Sequence, residues 1–165
     1  MAILEIKKYP DEVLKKKAET ISEINGDLQK LIDNMIETMY NANGIGLAAP
    51  QVGVLKRLIV VDTSPREQNQ SLIVLINPEI TDSEREILSE EGCLSLPGFT
   101  TRLKRKERVI VKGLDRNGKE IEIEATGLLA RALQHEIDHL DGILLIDKIS
   151  PLKRELFRKK FKTKK

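Results

Sequence analysis

Both histidines of this 165-residue chain fall in one pentad, His135-Glu136-Ile137-Asp138-His139, and the residues around it leave the pentad one place to fold. Leu128, Leu129, Ala132, Leu133, Ile137 and Leu140 recur at helical spacing after Thr126-Gly127, and Gly142 stands just beyond them. That broad apolar arc predicts a helix buried on most sides. At 3.6 residues per turn the two imidazoles leave the helix from one face, about one turn apart, and can share a metal ion. Glu136 lies about 100° round the axis, close enough to reach a water on such an ion. The pattern suits hydrolysis by an activated water. Two core histidines beside solvated acids are the plainer alternative.

Two ligands hold a metal poorly, so a third has to come from elsewhere. Cys93, the single thiol, is a candidate, and so are the carboxylates of Asp138, Asp141 and Glu124; residue chemistry alone leaves the choice open. A lone Cys is most often a small buried hydrophobe. It forbids an intramolecular disulfide and fits a reducing cytoplasm, and the opening Met-Ala-Ile-Leu-Glu-Ile-Lys-Lys has neither an apolar h-region nor a cleavage site. No apolar run approaches the roughly 20 residues needed to cross a bilayer. Aromatics make up 3% of the chain, too few for a nucleic-acid stacking platform. The net charge of +2 marks no generic DNA binder.

The remaining pattern is that of one α+β domain. Tyr9-Pro10-Asp11 opens a short polar helix candidate reaching Ala18. Asn25-Gly26-Asp27 caps a stronger helix, in which Leu28, Leu31, Ile32, Met35, Ile36, Met39 and Tyr40 share a face and Asn43-Gly44 marks the stop. Met35 and Met39 are core residues on this reading. Gly44 to Gly53 has no helix period and predicts a loop or an irregular edge strand. Arg57–Asp62, Ser71–Asn77 and, more weakly, Glu79–Ser89 predict strands. Glu107–Asp115 and Lys119–Ala125 predict a hairpin around Arg116-Asn117-Gly118. Ile143–Ile146 predicts a short strand, and Ser150-Pro151 starts a terminal helix with Leu152, Leu156, Phe157 and Phe161 as its apolar set. The buried histidine helix is thus expected inside small antiparallel sheets, with a long N-terminal helix and a C-terminal one.

Three segments carry a family resemblance: Gly-Ile-Gly-Leu-Ala-Ala-Pro-Gln-Val-Gly at 44–53, Glu-Gly-Cys-Leu-Ser at 91–95, and Gln-His-Glu-Ile-Asp-His-Leu-Asp-Gly at 134–142. In this order they resemble the signature motifs of the bacterial peptide deformylases, and the terminal helix resembles the subtype that ends in one. The resemblance implies Cys93, His135 and His139 as ligands of Fe2+, which Zn2+ or Ni2+ can replace. Three ligands leave the fourth tetrahedral position that a catalytic site needs. It further implies Glu136 as the general base and acid, and the Gln51 amide with the Leu94 backbone N–H as donors to the developing oxyanion. The substrate would be an N-formylmethionyl nascent peptide, gripped along Gly44, Ile45 and Gly46 as an added strand. Ile45, Leu94, Leu128 and Leu129 are candidates for the methionine pocket.

Eight basic residues and one Glu give the last 15 positions a net of +7, so the overall +2 leaves −5 for residues 1–150. Residues 1–150 are read as the catalytic part and 151–165 as a basic helix of the same domain. A cationic chain end is usually only solvated; the deformylase resemblance adds docking on ribosomal RNA as the functional alternative. Two rival classes remain at this level, a metallopeptidase with the same histidine pentad and a non-catalytic metal-binding protein.

Overall fold

A computed structural model describes the backbone of residues 2–162 and side chains as far as Lys160. Helix α1 spans Gly26–Asn41, α2 spans Gly127–Leu140 and α3 spans Pro151–Lys162. Strands β1 (Gly46–Ala48), β2 (Leu58–Val61), β3 (Ile73–Cys93), β4 (Leu96–Leu114) and β5 (Glu120–Thr126) pair antiparallel in chain order. They join in one five-stranded sheet, and the architecture is α+β.

Strand β2 shows why the sheet needs a helix on each face. All four of its residues are buried, and successive side chains in a strand point to opposite sides. Leu58 and Val60 pack with Leu28, Ile32, Met35 and Met39 of α1, whereas Ile59 and Val61 pack with Leu129, Leu133, Ile137 and Leu140 of α2. Helix α2, which carries the histidine pentad, is therefore enclosed between the sheet and the site. A third apolar cluster joins Leu14, Leu96, Leu103, Ile146 and Phe157.

Cap and turn residues behave largely as their chemistry dictates. The Asn25 side chain accepts from Leu28 N at 2.9 Å, and Ser150 Oγ accepts from Lys153 N at 3.2 Å. Helix α1 ends at Asn41, before Asn43 enters the left-handed region at φ 57°. In the β4–β5 turn Gly118 alone takes positive φ, while the Asp115 side chain accepts from Asn117 N and Lys119 N.

Several local expectations are corrected. The Tyr9–Ala18 segment forms one 3-10 turn, Glu12–Lys15, capped by Asp11. The expected strands Ser71–Asn77 and Glu79–Ser89 merge, from Ile73 onward, into one continuous strand, β3, whose register with β4 shifts near Ile76 and Ile80. Ile143–Ile146 is not a strand: Leu145–Lys148 makes a 3-10 turn, with the Asp147 carboxylate accepting from Leu144 N at 2.9 Å. On α3 only Phe157 is buried of the apolar residues described; Leu152 and Leu156 face solvent. The expected role of Phe161, and residues 163–165, lie outside the described residues.

Candidate active site

The chain brings its two histidines and its single cysteine together from two elements. Helix α2 presents His135 and His139 one turn apart, and the end of β3 delivers Cys93 beneath them. One ligand atom from each of the three lies within 4.8 Å of the others, and Cys93 Sγ is 3.3 Å from His139 Nε2. A tetrahedral ion with Zn–S and Zn–N bonds of ordinary length would hold such donors roughly 3.3–3.6 Å apart. One thiolate and two imidazoles fit a first-row divalent ion, so the residues present suit the metal that the motifs imply. Asp138, Asp141 and Glu124, the rival third ligands, are not in this cluster.

A buried ionic chain orients His135. Its Nδ1 meets Glu91 Oε1 at 3.0 Å, leaving Nε2 for the site. Glu91 in turn accepts two bonds from Arg105, from Nε at 2.9 Å and Nη2 at 2.8 Å. Arg105, 4% exposed, gives its remaining nitrogen to Asp138 Oδ2 at 2.6 Å. Burial alone would raise the Glu91 carboxyl, but His135 and Arg105 outweigh it and hold the group down at about 2. At His135 burial disfavours charge and is outweighed by Glu136, Cys93 and Glu91, so the pocket pulls positive charge to this position. Burial keeps the His139 imidazole neutral.

Glu136 is 5% exposed, and its Oε1 has no hydrogen-bond partner among the described residues. Burial pushes its carboxyl up to about 7. Its other oxygen lies against Gly46: a Cβ added there would come within 2.5 Å of Oε2. Gln51, 1% exposed, is fixed by accepting from Ala48 N at 2.9 Å. That leaves its Nε2 aimed at Ser95 Oγ (3.2 Å) and Cys93 Sγ (3.6 Å).

These groups open on a cavity of about 490 Å3, and Gly44, Ile45, Gly46, Gln51 and Leu94 line it. Edge strand β1 borders it, with Gly46 paired to Val61 on the side away from the cavity. Of the methionine-pocket candidates, Ile45, Leu94 and Leu128 line this space, whereas Leu129 is packed into the α2 core.

Two functional elements escape a reading of the sequence. The Glu91–Arg105–Asp138 chain is one; its only local signal is an acid two positions before Cys93. Glu67 is the other. Thr126 precedes α2 but makes no capping bond, and Glu67, from the loop after β2, accepts instead from Leu128 N at 3.2 Å and Leu129 N at 3.0 Å. Gly127, at φ 61°, is where a Cβ would crowd that carboxylate.

The comparisons with known proteins agree with this geometry. The family model for polypeptide deformylase matches residues 3–155. A peptide deformylase of Thermodesulfovibrio yellowstonii is 99% identical over all 165 residues of both chains. One from Syntrophobacter fumaroxidans is 54% identical, covering 99% of this chain and 96% of its own. Among solved structures, a peptide deformylase from Legionella pneumophila superposes with a TM-score of 0.91 at 49% identity, covering 98% and 96% of the two chains. One from Ehrlichia chaffeensis in complex with actinonin gives 0.93 at 40% identity, covering 100% and 99%. With the family matched along nearly its whole length, the chain belongs to the polypeptide deformylases.

Proposed function

We propose that this hydrolase removes the formyl group from N-formylmethionyl peptides by metal-assisted attack of water. The observation that carries the reading is the convergence of Cys93, His135 and His139 within 4.8 Å, beside a buried, partly unpartnered Glu136 carboxyl. Cys93, His135 and His139 would hold the ion, with Fe2+ as the native one and Zn2+ or Ni2+ as substitutes. A divalent ion there supplies a Lewis acid that acidifies water and polarises the formyl carbonyl.

The chain's own groups do the rest. Glu136, held against Gly46, accepts the proton of the attacking water at its carboxylate and returns it to the departing peptide nitrogen. Formate and a free amine result. The Gln51 Nε2, turned toward Cys93 because its oxygen is engaged by Ala48 N, donates to the oxygen on which charge develops, together with the Leu94 backbone N–H. Gly44, Ile45 and Gly46 offer an edge along which an extended peptide can pair.

Formate release from formylated but not acetylated Met-Ala-Ser, after stripping and restoring each metal, tests this reading. Cleavage of the internal peptide bonds instead would favour a peptidase. Glu136→Ala should keep the ion and lose nearly all turnover; loss of the ion with full activity per bound metal would refute its role as base.

We also propose that α3 docks the chain on ribosomal RNA, since the last 15 residues carry a net charge of +7. Deleting α3 would expose the core around Phe157, so Lys153→Glu with Arg158→Glu is the better probe. Ribosome pelleting at two salt concentrations should weaken in that variant; unchanged, salt-insensitive binding rejects docking.

A further inference from the structure

The arginines of this fold that are at least partly buried are, with one exception, engaged. Arg57, Arg105, Arg108, Arg116 and Arg154, each at least half-buried, bond to carboxylates or backbone carbonyls. Arg131 and Arg66 differ: both line the active-site cavity, and among the described residues neither guanidinium has a hydrogen bond or ion pair. Arg131 is half-buried, so its charge is partly desolvated without compensation. Arg66 sits beside Glu67, whose carboxylate is fixed to the first turn of α2, and is thereby held near the same helix.

The spacing of Arg131 is informative. It precedes His135 by four positions, on the same helix face and roughly 6 Å away along the axis. In an extended peptide the third side chain returns to the side of the first, roughly 6.8 Å further on. A peptide lying along α2, with its formylmethionine at the level of His135 and its chain running toward the helix N-terminus, would bring its third residue to the level of Arg131. Of the carboxylates lining the cavity, Glu91 is spent on Arg105 and His135, Glu136 lies against Gly46, and Glu90 stands on β3.

We infer that Arg131, assisted by Arg66, selects peptides with an acidic side chain at the third residue from the formyl end. This rests on the deformylase reading of the cavity and extends it to substrate choice.

The test uses two C-terminally amidated N-formylmethionyl peptides that differ only in Asp or Asn at the third residue, with formate release as the readout. Blocking the C-terminus removes the competing carboxylate. In the wild-type chain at low salt, kcat/KM should favour Asp by about threefold to fivefold, the worth of one partly exposed ion pair. The preference should collapse at about 1 M salt and in Arg131→Gln, and Arg131→Lys should restore part of it. A ratio near one in the wild-type chain, or one unchanged in Arg131→Gln, overturns the inference. Should Arg131→Gln fold poorly, the salt dependence of the wild-type ratio decides. No formate from either peptide would sink the deformylase reading itself.

Discussion

Replacing Arg105 by Leu should be among the most damaging single changes outside the metal ligands. The side chain is 4% exposed and donates three bonds, two to Glu91 and one to Asp138. Its loss strands Glu91, whose side chain is 10% exposed, with only His135 as a partner. Removing one member of a buried ion pair costs roughly 3–5 kcal/mol. Asp138 keeps a second cation, Lys148, at 3.4 Å, so the cost belongs in the lower part of that range, about 3–4 kcal/mol. For a domain of this size each kcal/mol moves Tm by about 2–4 °C, so Tm should fall by roughly 6–16 °C. Thermal unfolding of chelator-treated protein isolates the effect from metal binding. A paired Glu91→Gln with Arg105→Leu should recover part of the loss, because neither charge is then left alone. A single variant melting within about 2 °C of wild type, or strict additivity in the double variant, would show that the ionic chain does not hold this site together.

Three other outcomes follow from named contacts. Glu67→Ala removes the cap of α2 and should cost about 1–2 kcal/mol in thermal unfolding, while Glu67→Gln, which keeps one acceptor oxygen, should cost less; equal losses would rule out capping as the cause. Gly46→Ala puts a methyl 2.5 Å from Glu136 Oε2 and should lower turnover about 100-fold by displacing the base, with the fold retained by circular dichroism; turnover within about threefold of wild type would mean the carboxyl moves aside freely. Tyr40 is 44% exposed as a residue, but its hydroxyl donates to Asp62 at 2.5 Å, and partial desolvation of that hydroxyl, then the bond, push its phenol from 10.0 up to about 12. A folded-state value above the unfolded one stabilises fully below pH 10 and is lost between about 10 and 12, so urea unfolding of Tyr40→Phe should lack the alkaline loss in that window; a parallel curve would refute the assignment.

The fold was legible where a single element contains its own signal. Helix α1 has its cap, its apolar face and its stop within 20 residues, and Leu28, Ile32, Met35 and Met39 are buried as that spacing requires. Strand β3 was legible only in pieces. Glu79 to Glu86 is exposed on both faces, which erases the two-residue period, and register shifts near Ile76 and Ile80 interrupt the rest. Its continuity is set by pairing with β4, information that β3 itself does not hold. Ile143–Ile146 failed for a different reason. A short apolar run shows that a segment is buried without showing how its backbone is satisfied. Here the Asp147 side chain takes the Leu144 N–H that a neighbouring strand would have used.

The site divides along the same line. His135, Glu136 and His139 share one helical turn, and Cys93 was drawn to them by resemblance, because the positions between leave no local signal of contact. Glu67 lies 61 residues from the helix it caps, and Thr126 occupies the place where a cap would be sought. Arg105 hides among Arg102, Lys104, Lys106 and Arg108, a run that reads as a solvated basic strand. Parity separates it from them. Leu103, Arg105, Val109 and Val111 are buried and fall on one face of β4, while Arg102 and Lys104 point the other way into solvent. A cation on the apolar face of a strand cannot remain unpaired at acceptable cost, so its position alone requires buried carboxylates opposite. Glu91 and Asp138 meet that requirement, and both stand within three residues of a metal-ligand candidate. The need to satisfy one buried charge on the sheet thus fixes the ring orientation of His135 on the helix, which makes the strength of the site a property of sheet–helix packing rather than of the pentad by itself.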